Sequence, residues 1–533
     1  MNSTNSATTA DKEKISFRKK IQDQDVEHIM DRYHYNEAVK ATIRDENLLP
    51  AALLSRLHNS YPQHSGIMES AEFIFTGKEK YSGLKGFREI VENLNKNGID
   101  IGHIEERELF INVYRFLATK HVLNKINWKN FAKDSLFQLV FPQPGMINPE
   151  LFEQYSKAKS DAEKEQLILD YIKQTNPHDG KQLLNKPWYE QDDGGLEILK
   201  GSQHKYPQVQ LIFDASTQSC FSFCTYCFRH AQVRGDEDMF VQKDINQVHQ
   251  YLKEHKEVTD VLITGGDASY ITFDRLKAYV LPLIEDDNLL HIKTLRLGTR
   301  VLTFHPELIL STDYNKYLEL FKKLNDSGIQ VVMMSHFSTP RELLNPSTIA
   351  AIRRLKNHGV AIKSQSPVMH HISMFSNENG EIDIDRSAQN WIDLGNVLAT
   401  LSVGFHSMYC ARPTGEHHYF TVPLTIINQI FSKVYRSLPS INRPSRYITM
   451  TSSAGKVSML GEVMVNGEKA FALKFNESRN MEWMDKVFLA KYDEHENTIE
   501  KLKPIEGKKH FYEDELAEIE LSLDAALRKK LDA

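Results

Sequence analysis

The sequence predicts an α/β protein whose central part is an open, partial (β/α)6 barrel. From about residue 205 onward, six short β-rich runs alternate with amphipathic helices, which is typical of parallel strands joined by right-handed crossovers. Six units are too few for a complete eight-fold barrel. A cysteine-rich loop follows the first run and a Gly-Gly-Asp turn ends the second, as expected if functional groups lie at the carboxyl ends of barrel strands.

The strands and helices of this barrel are predicted from the period of the apolar residues. The intervening helix that begins near Ile245 places Val248 and Leu252 on the same face. A later helix has Ser347 as its candidate N-cap and Gly359 as its C-terminal stop. The predicted strands are 209–216, 260–266, 294–299, 331–337, 361–368 and 405–410.

Three further segments flank the barrel, which is predicted over residues 201–460. Residues 1–24 are polar and predict a disordered tail. Residues 25–200 carry apolar residues at three- and four-residue spacing and predict a helical N-terminal region, to which we assign no chemistry. Residues 461–533 are charged and mixed and predict a C-terminal extension that ends in an exposed helix.

Composition narrows the class of protein. The chain has 533 residues, of which 41% are hydrophobic and 26% charged, and its net charge is −6. The absence of a basic excess argues against nucleic acid as the main partner. The polar start has no signal-peptide pattern, and no apolar run reaches the ~20 residues that a membrane span needs. We therefore expect a cytoplasmic protein without membrane attachment.

Three of the four cysteines, Cys220, Cys224 and Cys227, lie within eight residues. Thiolates are the preferred ligands of iron–sulfur clusters, and three of them on one loop leave one iron of a cubane open. A structural zinc site needs four ligands, for which Cys410 or His230 are the alternatives. The third alternative is a set of unligated core thiols.

This loop resembles the radical S-adenosylmethionine (radical SAM) superfamily, with an aromatic residue, Tyr226, before the last cysteine. The resemblance implies a 4Fe–4S cluster on the three cysteines and reductive cleavage of S-adenosylmethionine, with Tyr226 beside the cofactor. Gly265, Gly266 and Asp267 end the second strand. Glycines allow close approach of a backbone, and the resemblance implies that Asp267 holds the amino group of S-adenosylmethionine. The alternative is an ordinary turn.

The motifs CTYCFRH, VTDVLITGGD, LRLGTR, SHF and a late Gly-Lys together are similar to the lysine 2,3-aminomutase family, over residues 205–458. The resemblance implies a second cofactor, pyridoxal phosphate, and the shift of an amino group from the α to the β carbon. It implies that Arg229 grips the substrate carboxylate, a task that suits a planar guanidinium. It further implies that Lys456, after a run of small residues, forms the Schiff base with pyridoxal phosphate.

Departures from the family concern the substrate. Ala411 and Thr449 occupy the positions of two aspartates that hold the distal ammonium of lysine, and neither can neutralise a cation. We therefore expect a substrate other than lysine. Arg412 and Arg446 indicate an acidic or polar side chain, and the alternative is that they face solvent. No cysteine follows Cys410, so the zinc site of some members is not expected. The phosphate-binding basic residues are only partly present, because Gln208, Val209 and Gln210 follow Lys205-Tyr206-Pro207.

Three functions remain open from the sequence. The first is a radical SAM amino acid 2,3-aminomutase, an isomerase. Its expected partners are a small-molecule amino acid substrate and an electron donor such as flavodoxin or ferredoxin, and a homo-oligomer is possible. The second is a radical SAM enzyme of another reaction type without pyridoxal phosphate. The third is a non-catalytic metal-binding scaffold.

Overall fold

The computed structural model describes residues 20–69, 74–175, 185–190, 196–234, 239–412 and 415–531. Most of the predicted tail, residues 1–24, lies outside the described residues. Its last residues are described, and the first helix already begins at Asp23. Among the described residues, no helix combines the length and the apolar composition that a membrane span requires.

The N-terminal region consists of short helices and two small antiparallel strand pairs, β1–β2 and β3–β4. These helices are α1 Asp23–Arg32, α2 Glu37–Asp45, α3 Ala51–Ser60, α4 Gly83–Lys96, α5 Ile104–Val113, α6 Lys120–Leu123, α7 Ser135–Val140, α8 Pro149–Lys157 and α9 Asp161–Thr175. The strands are β1 Lys80–Ser82, β2 Leu117–Thr119, β3 Trp188–Glu190 and β4 Leu196–Ile198.

One large sheet forms the centre of the molecule, with its strands in the order β15-β14-β13-β12-β11-β10-β9-β8-β7-β6-β5. Strands β6 to β12 are parallel neighbours, whereas β5 and β13 to β15 pair antiparallel. The strands are β5 Ser202–Tyr206, β6 Val209–Phe213, β7 Asp260–Thr264, β8 Thr294–Thr299, β9 Gln330–Ser335, β10 Ala361–Val368, β11 Gly404–Cys410, β12 Thr449–Thr451, β13 Gly455–Val465, β14 Glu468–Ser478 and β15 Val487–Lys491.

Helices connect the parallel strands and cover one face of the sheet. They are α10 His230–Arg234, α11 Ile245–Glu254, α12 Phe273–Val280, α13 Pro282–Glu285, α14 Val301–Phe304, α15 Glu307–Leu310, α16 Asn315–Asp326, α17 Pro346–Asn357, α18 Ile384–Thr400, α19 His417–Phe420 and α20 Leu424–Ser437; α21 Glu513–Leu531 lies near the C-terminus. The six predicted runs correspond to β6 to β11, which confirms the predicted partial (β/α)6 barrel.

The C-terminal part differs from the prediction. The predicted boundary at residues 460 and 461 falls inside β13, because β13 and β14 form a long hairpin that extends the barrel sheet. Asn466 and Gly467 form its turn, and both have positive φ, 50° and 87°. An Asn-Gly pair between alternating residues is a strong hairpin signal, so this hairpin could have been predicted.

The two faces of the barrel strands have different surroundings. Ile212, Val261 and Leu295 are nearly inaccessible and pack with helix residues such as Val248 and Val280. Since successive side chains of a strand point to opposite faces, the alternate residues of these strands face the concave side. Arg296 and its row neighbours Leu262 and Leu211 lie on that side.

Candidate active site

The cysteine loop is held between the barrel and the N-terminal region. Asp214 follows β6, and its carboxylate binds the Arg275 guanidinium and the Tyr279 hydroxyl. Further along, the Phe223 amide donates to the Leu117 carbonyl (2.8 Å) and the Thr225 amide to the Leu139 carbonyl (2.9 Å). The N-terminal region, to which the sequence assigned no chemistry, therefore supports the loop that carries the cysteines.

The three thiols suit a cluster better than a single ion. Cys220, Cys224 and Cys227 are half-buried on one loop, and three thiolates are one short of the four ligands of a structural zinc site. Burial raises the pKa of the Cys227 thiol to about 12, so the unligated thiols are protonated near neutral pH and a metal centre is needed to hold them as thiolates. Cys410 is buried in β11, outside this loop.

The two glycines after β7 allow this strand to approach the cysteine loop. Gly265 has φ +141°, and a Cβ atom there would lie 2.3 Å from the Thr217 hydroxyl oxygen. A Cβ atom at Gly266 would lie 2.5 Å from the Ser219 carbonyl oxygen and 3.0 Å from the Cys220 sulfur. Any side chain at either position would push the two segments apart. The predicted cofactor contact of these glycines stays a prediction.

Asp267 connects the ends of β7 and β8. Its carboxylate is 3% exposed and accepts hydrogen bonds from the Thr299 hydroxyl (2.6 Å) and from the backbone amides of Ser269 (2.9 Å) and Arg300 (2.8 Å). Burial raises its pKa to about 6 despite these donors. With three donors bound, the carboxylate still has room for one further donor. The predicted binding of an amino group there stays a prediction.

Arg300 is a site residue that sequence reasoning missed, although it is the last residue of the LRLGTR motif. Its guanidinium lies 3.3 Å from the Cys224 sulfur and donates to the Tyr226 hydroxyl (2.7 Å) and the Glu342 carboxylate (2.8 Å). Glu342 is fully buried and also accepts from the Thr303 hydroxyl and the Ser338 amide. Arg300 thus links the cysteine loop to the ends of β8 and β9.

Replacement of Arg300 by methionine is expected to lower the free energy of unfolding by about 3–5 kcal/mol, because it leaves Glu342 as a buried, unpaired charge. The double variant Arg300→Met/Glu342→Gln should recover part of this loss. Denaturant unfolding of the parent, Arg300→Met, Glu342→Gln and the double variant measures these differences in the free energy of unfolding. Equal stability of the single variant and the parent would contradict the assigned role of this pair.

Arg229 lies where the cysteine loop meets the concave side of the sheet. Its guanidinium donates to the Thr264 hydroxyl (2.6 Å) and the Gly265 carbonyl (3.3 Å) and lies 4.9 Å from the centre of the Phe213 ring. No described carboxylate forms an ion pair with it, and burial together with the nearby Arg412 lowers its pKa to about 10. A half-buried guanidinium of this kind can receive a substrate carboxylate.

Lys456 lies at the start of β13, with its ammonium 2.5 Å from the Glu477 carboxylate and 5.0 Å from the centre of the Tyr206 ring. Arg446 binds the other oxygen of Glu477 (2.8 Å). Although burial opposes ionisation, these two cations hold the pKa of Glu477 at about 2. Arg446 is therefore occupied within the chain, which weakens the earlier hint that it recognises an acidic side chain.

Two further cations lie at the turn that precedes Lys456. Lys205 is buried and donates to the Ser452 carbonyl, and Arg479 donates to the Ser453 carbonyl (2.9 Å). Neither has an ion pair within the described part of the chain, and burial lowers the pKa of both. Unpaired cations beside a lysine fit the phosphate group of pyridoxal phosphate. Arg479 places a cation at this turn, whereas residues 208–210 are uncharged, and its distance in sequence concealed it.

The positions of the two lysine-binding aspartates contain no charge. Ala411 is 5% exposed. Thr449 is inaccessible, and its hydroxyl donates to the Tyr447 carbonyl (2.8 Å) and lies 3.0 Å from the Ser458 hydroxyl. Neither position can neutralise the ammonium group of a lysine side chain.

Glu416 anchors the segment after β11 to the N-terminal region. It is buried and accepts hydrogen bonds from the hydroxyls of Tyr114 (3.0 Å) and Tyr171 (2.8 Å), and His418 lies 3.6 Å away. Burial raises its pKa to about 7. Folding therefore favours the protonated carboxyl.

Because the pKa of Glu416 is raised on folding, its contribution to the free energy of unfolding should fall as the pH rises from about 4.5 to about 7. The fall is about 3 kcal/mol at most. Denaturant unfolding at several pH values checks this, and Glu416→Gln should flatten the profile within this window. An unchanged pH dependence in the variant would contradict it.

Comparison with known proteins shows similarity to lysine 2,3-aminomutases, which confirms the predicted resemblance. A lysine 2,3-aminomutase-like protein of Aquifex aeolicus is 27% identical over 265 residues, 50% of this chain and 65% of the relative. L-Lysine 2,3-aminomutase of Bacillus subtilis is 30% identical over 37% of this chain and 38% of the relative. Glutamate 2,3-aminomutase of Clostridioides difficile is 32% identical over 32% of this chain and 37% of the relative. The matches thus span less than two thirds of each relative's length, and no family model matches the chain.

Proposed function

Since the chain is related to the lysine 2,3-aminomutase family of radical SAM proteins, we propose that it is a radical SAM amino acid 2,3-aminomutase. In this isomerisation the bond from nitrogen to the α carbon breaks, a bond to the β carbon forms, and one hydrogen moves from the β to the α carbon. The supporting observation is that the cysteine loop with Arg229 follows β6 and that Lys456 lies on β13 of the same mixed sheet. Neither Arg229 nor Lys205, which lies at the turn before Lys456, has an ion pair within the described residues.

The cofactors that this function requires fit the residues present. Cys220, Cys224 and Cys227 would hold a 4Fe–4S cluster, and Tyr226, Gly265, Gly266 and Asp267 lie beside them for S-adenosylmethionine. Lys456, Lys205 and Arg479 would hold pyridoxal phosphate. When bound, the cluster and S-adenosylmethionine would supply a carbon radical, because one-electron reduction splits S-adenosylmethionine. Pyridoxal phosphate would carry the migrating nitrogen.

The roles of the chain's own residues follow from their contacts. Arg229 binds and orients the α-carboxylate of the substrate. Glu477 holds the Lys456 ammonium beside Tyr206 while no cofactor is attached to Lys456. An external reductant of the flavodoxin or ferredoxin type would supply the electron, and the chain would act in the cytoplasm.

A second candidate is a radical SAM enzyme that does not use pyridoxal phosphate. The ion pair between Lys456 and Glu477 favours it, because a lysine that is already paired with a carboxylate is a weaker nucleophile. The pyridoxal content of the purified chain distinguishes the two candidates.

The proposed function is tested by anaerobic reconstitution with iron, sulfide, S-adenosylmethionine and pyridoxal phosphate, followed by a screen of α-amino acids. We expect a β-amino acid from at least one substrate other than lysine. Deoxyadenosine release without any β-amino product, together with absent pyridoxal, would favour the second candidate instead.

A further inference from the structure

The Phe228 ring, between the last cysteine and Arg229, has two guanidinium groups beside it. The Arg229 and Arg412 guanidinium carbons both lie 5.2 Å from the centre of this ring. Arg412 comes two residues after the end of β11, whereas Arg229 comes from the cysteine loop after β6. The fold therefore brings two cations that follow distant strands to the same aromatic ring.

Neither guanidinium has an anionic partner in the described part of the chain. Arg229 donates only to neutral oxygens, and no hydrogen bond or ion pair within the described residues satisfies Arg412. Other cations near this site are paired, as Arg446 and Lys456 are with Glu477 and Arg296 is with Asp260. The Glu500 carboxylate acts on Arg412 only through its charge, and it accepts a hydrogen bond from the Ser453 amide.

The charges of the proposed cofactor and substrate leave Arg412 unmatched. Lys205 and Arg479 would bind the phosphate of pyridoxal phosphate, and Arg229 would bind the α-carboxylate of the substrate. No anionic group of the cofactor or of a neutral amino acid is then left for Arg412. A half-buried guanidinium without an anion is costly unless a ligand supplies one. Arg412 also adjoins Ala411, one of the two positions at which the family resemblance implies an aspartate in lysine-specific members.

We infer that Arg412 binds a second carboxylate, so that the substrate is an α-amino acid with an acidic side chain. The two guanidiniums around Phe228 then receive the two carboxylates of one ligand, Arg229 the α-carboxylate and Arg412 the side-chain carboxylate. A guanidinium binds a carboxylate through two parallel, charge-assisted hydrogen bonds. A ligand whose side chain ends in a neutral amide lacks the charge and the second acceptor oxygen. This inference rests on the proposed function for the orientation of the substrate.

Calorimetric binding to the anaerobic holoprotein tests this inference without turnover. The ligands are L-glutamate, L-aspartate, their amides L-glutamine and L-asparagine, and L-norleucine. We expect one acid to bind at least about 30-fold more tightly than its amide, since loss of one partner from such a pair costs at least about 2 kcal/mol. Arg412→Gln should remove this preference and Arg412→Lys should retain part of it. Arg436→Gln, on an exposed helix surface, serves as the matched control and should leave the preference unchanged.

The outcomes separate this inference from the proposed function. Equal binding of acid and amide, no binding of either acid, or an intact preference in Arg412→Gln overturns the second carboxylate site. If Arg412→Gln fails to fold, a preference in Arg412→Lys equal to that of the parent overturns it as well. Preference for the acid without any β-amino product overturns the aminomutase proposal and leaves the carboxylate site standing. If neutral amino acids give β-amino products as readily as acidic ones, the second carboxylate site is overturned and the aminomutase proposal stands.

Discussion

Replacement of Cys224 by serine should abolish reductive cleavage of S-adenosylmethionine. Cys224 is one of only three thiols on the loop, so its loss leaves two ligands for a cluster that needs three. The variant should lose most of its bound iron and sulfide after anaerobic reconstitution and should release deoxyadenosine only at the level of a protein-free control. Iron content, electron paramagnetic resonance of the reduced protein and chromatography of deoxyadenosine measure these effects.

Cys410 provides the matched control for this experiment. It is buried in β11 and lies outside the cysteine loop, so Cys410→Ser should keep the cluster and the cleavage activity. If Cys410→Ser lost the cluster as completely as Cys224→Ser, the ligand set would include Cys410 and no iron would be left open for S-adenosylmethionine. That result would contradict the assignment of three ligands.

Replacement of Lys456 by alanine should abolish formation of any β-amino product while deoxyadenosine release persists. Lys456 is the lysine of the run 452–456, and its side chain lies against Tyr206 and Glu477 and is not one of the expected cluster ligands. The parent should contain pyridoxal that borohydride fixes to the chain, with loss of the visible absorbance band, and the variant should not. Absorbance and mass spectrometry of the peptide that contains residue 456 measure this.

A surface lysine of the same hairpin serves as control. Lys469 lies 3.5 Å from Glu462 and is largely exposed, so Lys469→Ala should keep both the pyridoxal and the product. If Lys456→Ala behaved like the parent in absorbance and product formation, the pyridoxal role of Lys456 would be rejected, and the second candidate function would gain support.

The barrel was predictable because its strands are short, apolar and regularly separated by amphipathic helices. The β6 to β11 bounds differ from the predicted runs by three residues or fewer at each end. The additional strands were not predicted for different reasons. β12 has only three residues, Thr449–Thr451, too few to show a period. The β13–β14 hairpin mixes charged and apolar residues, and its Asn466-Gly467 turn was the signal that could have found it.

The candidate site was predictable only where its residues lie close together in sequence. The three cysteines form one motif, and Gly265 to Asp267 form another. Glu342 and Arg479 have no such local pattern, because their roles depend on which strand ends and turns the fold brings together. Arg300 ends the LRLGTR motif, but its contacts with Cys224 and Glu342 also depend on the fold. The pairing of Arg446 with Glu477 of β14 is likewise a tertiary contact, which the spacing of arginines in the sequence cannot reveal.

The account depends most on a cluster that leaves one iron free for S-adenosylmethionine, and deoxyadenosine formation tests this directly. The anaerobically reconstituted full chain is mixed with S-adenosylmethionine and dithionite, and deoxyadenosine is quantified against iron content. We expect deoxyadenosine in amounts that depend on the cluster and on Cys220, Cys224 and Cys227. A chain that carries zinc at these sulfurs, or that holds the cluster and releases no deoxyadenosine, would contradict the account.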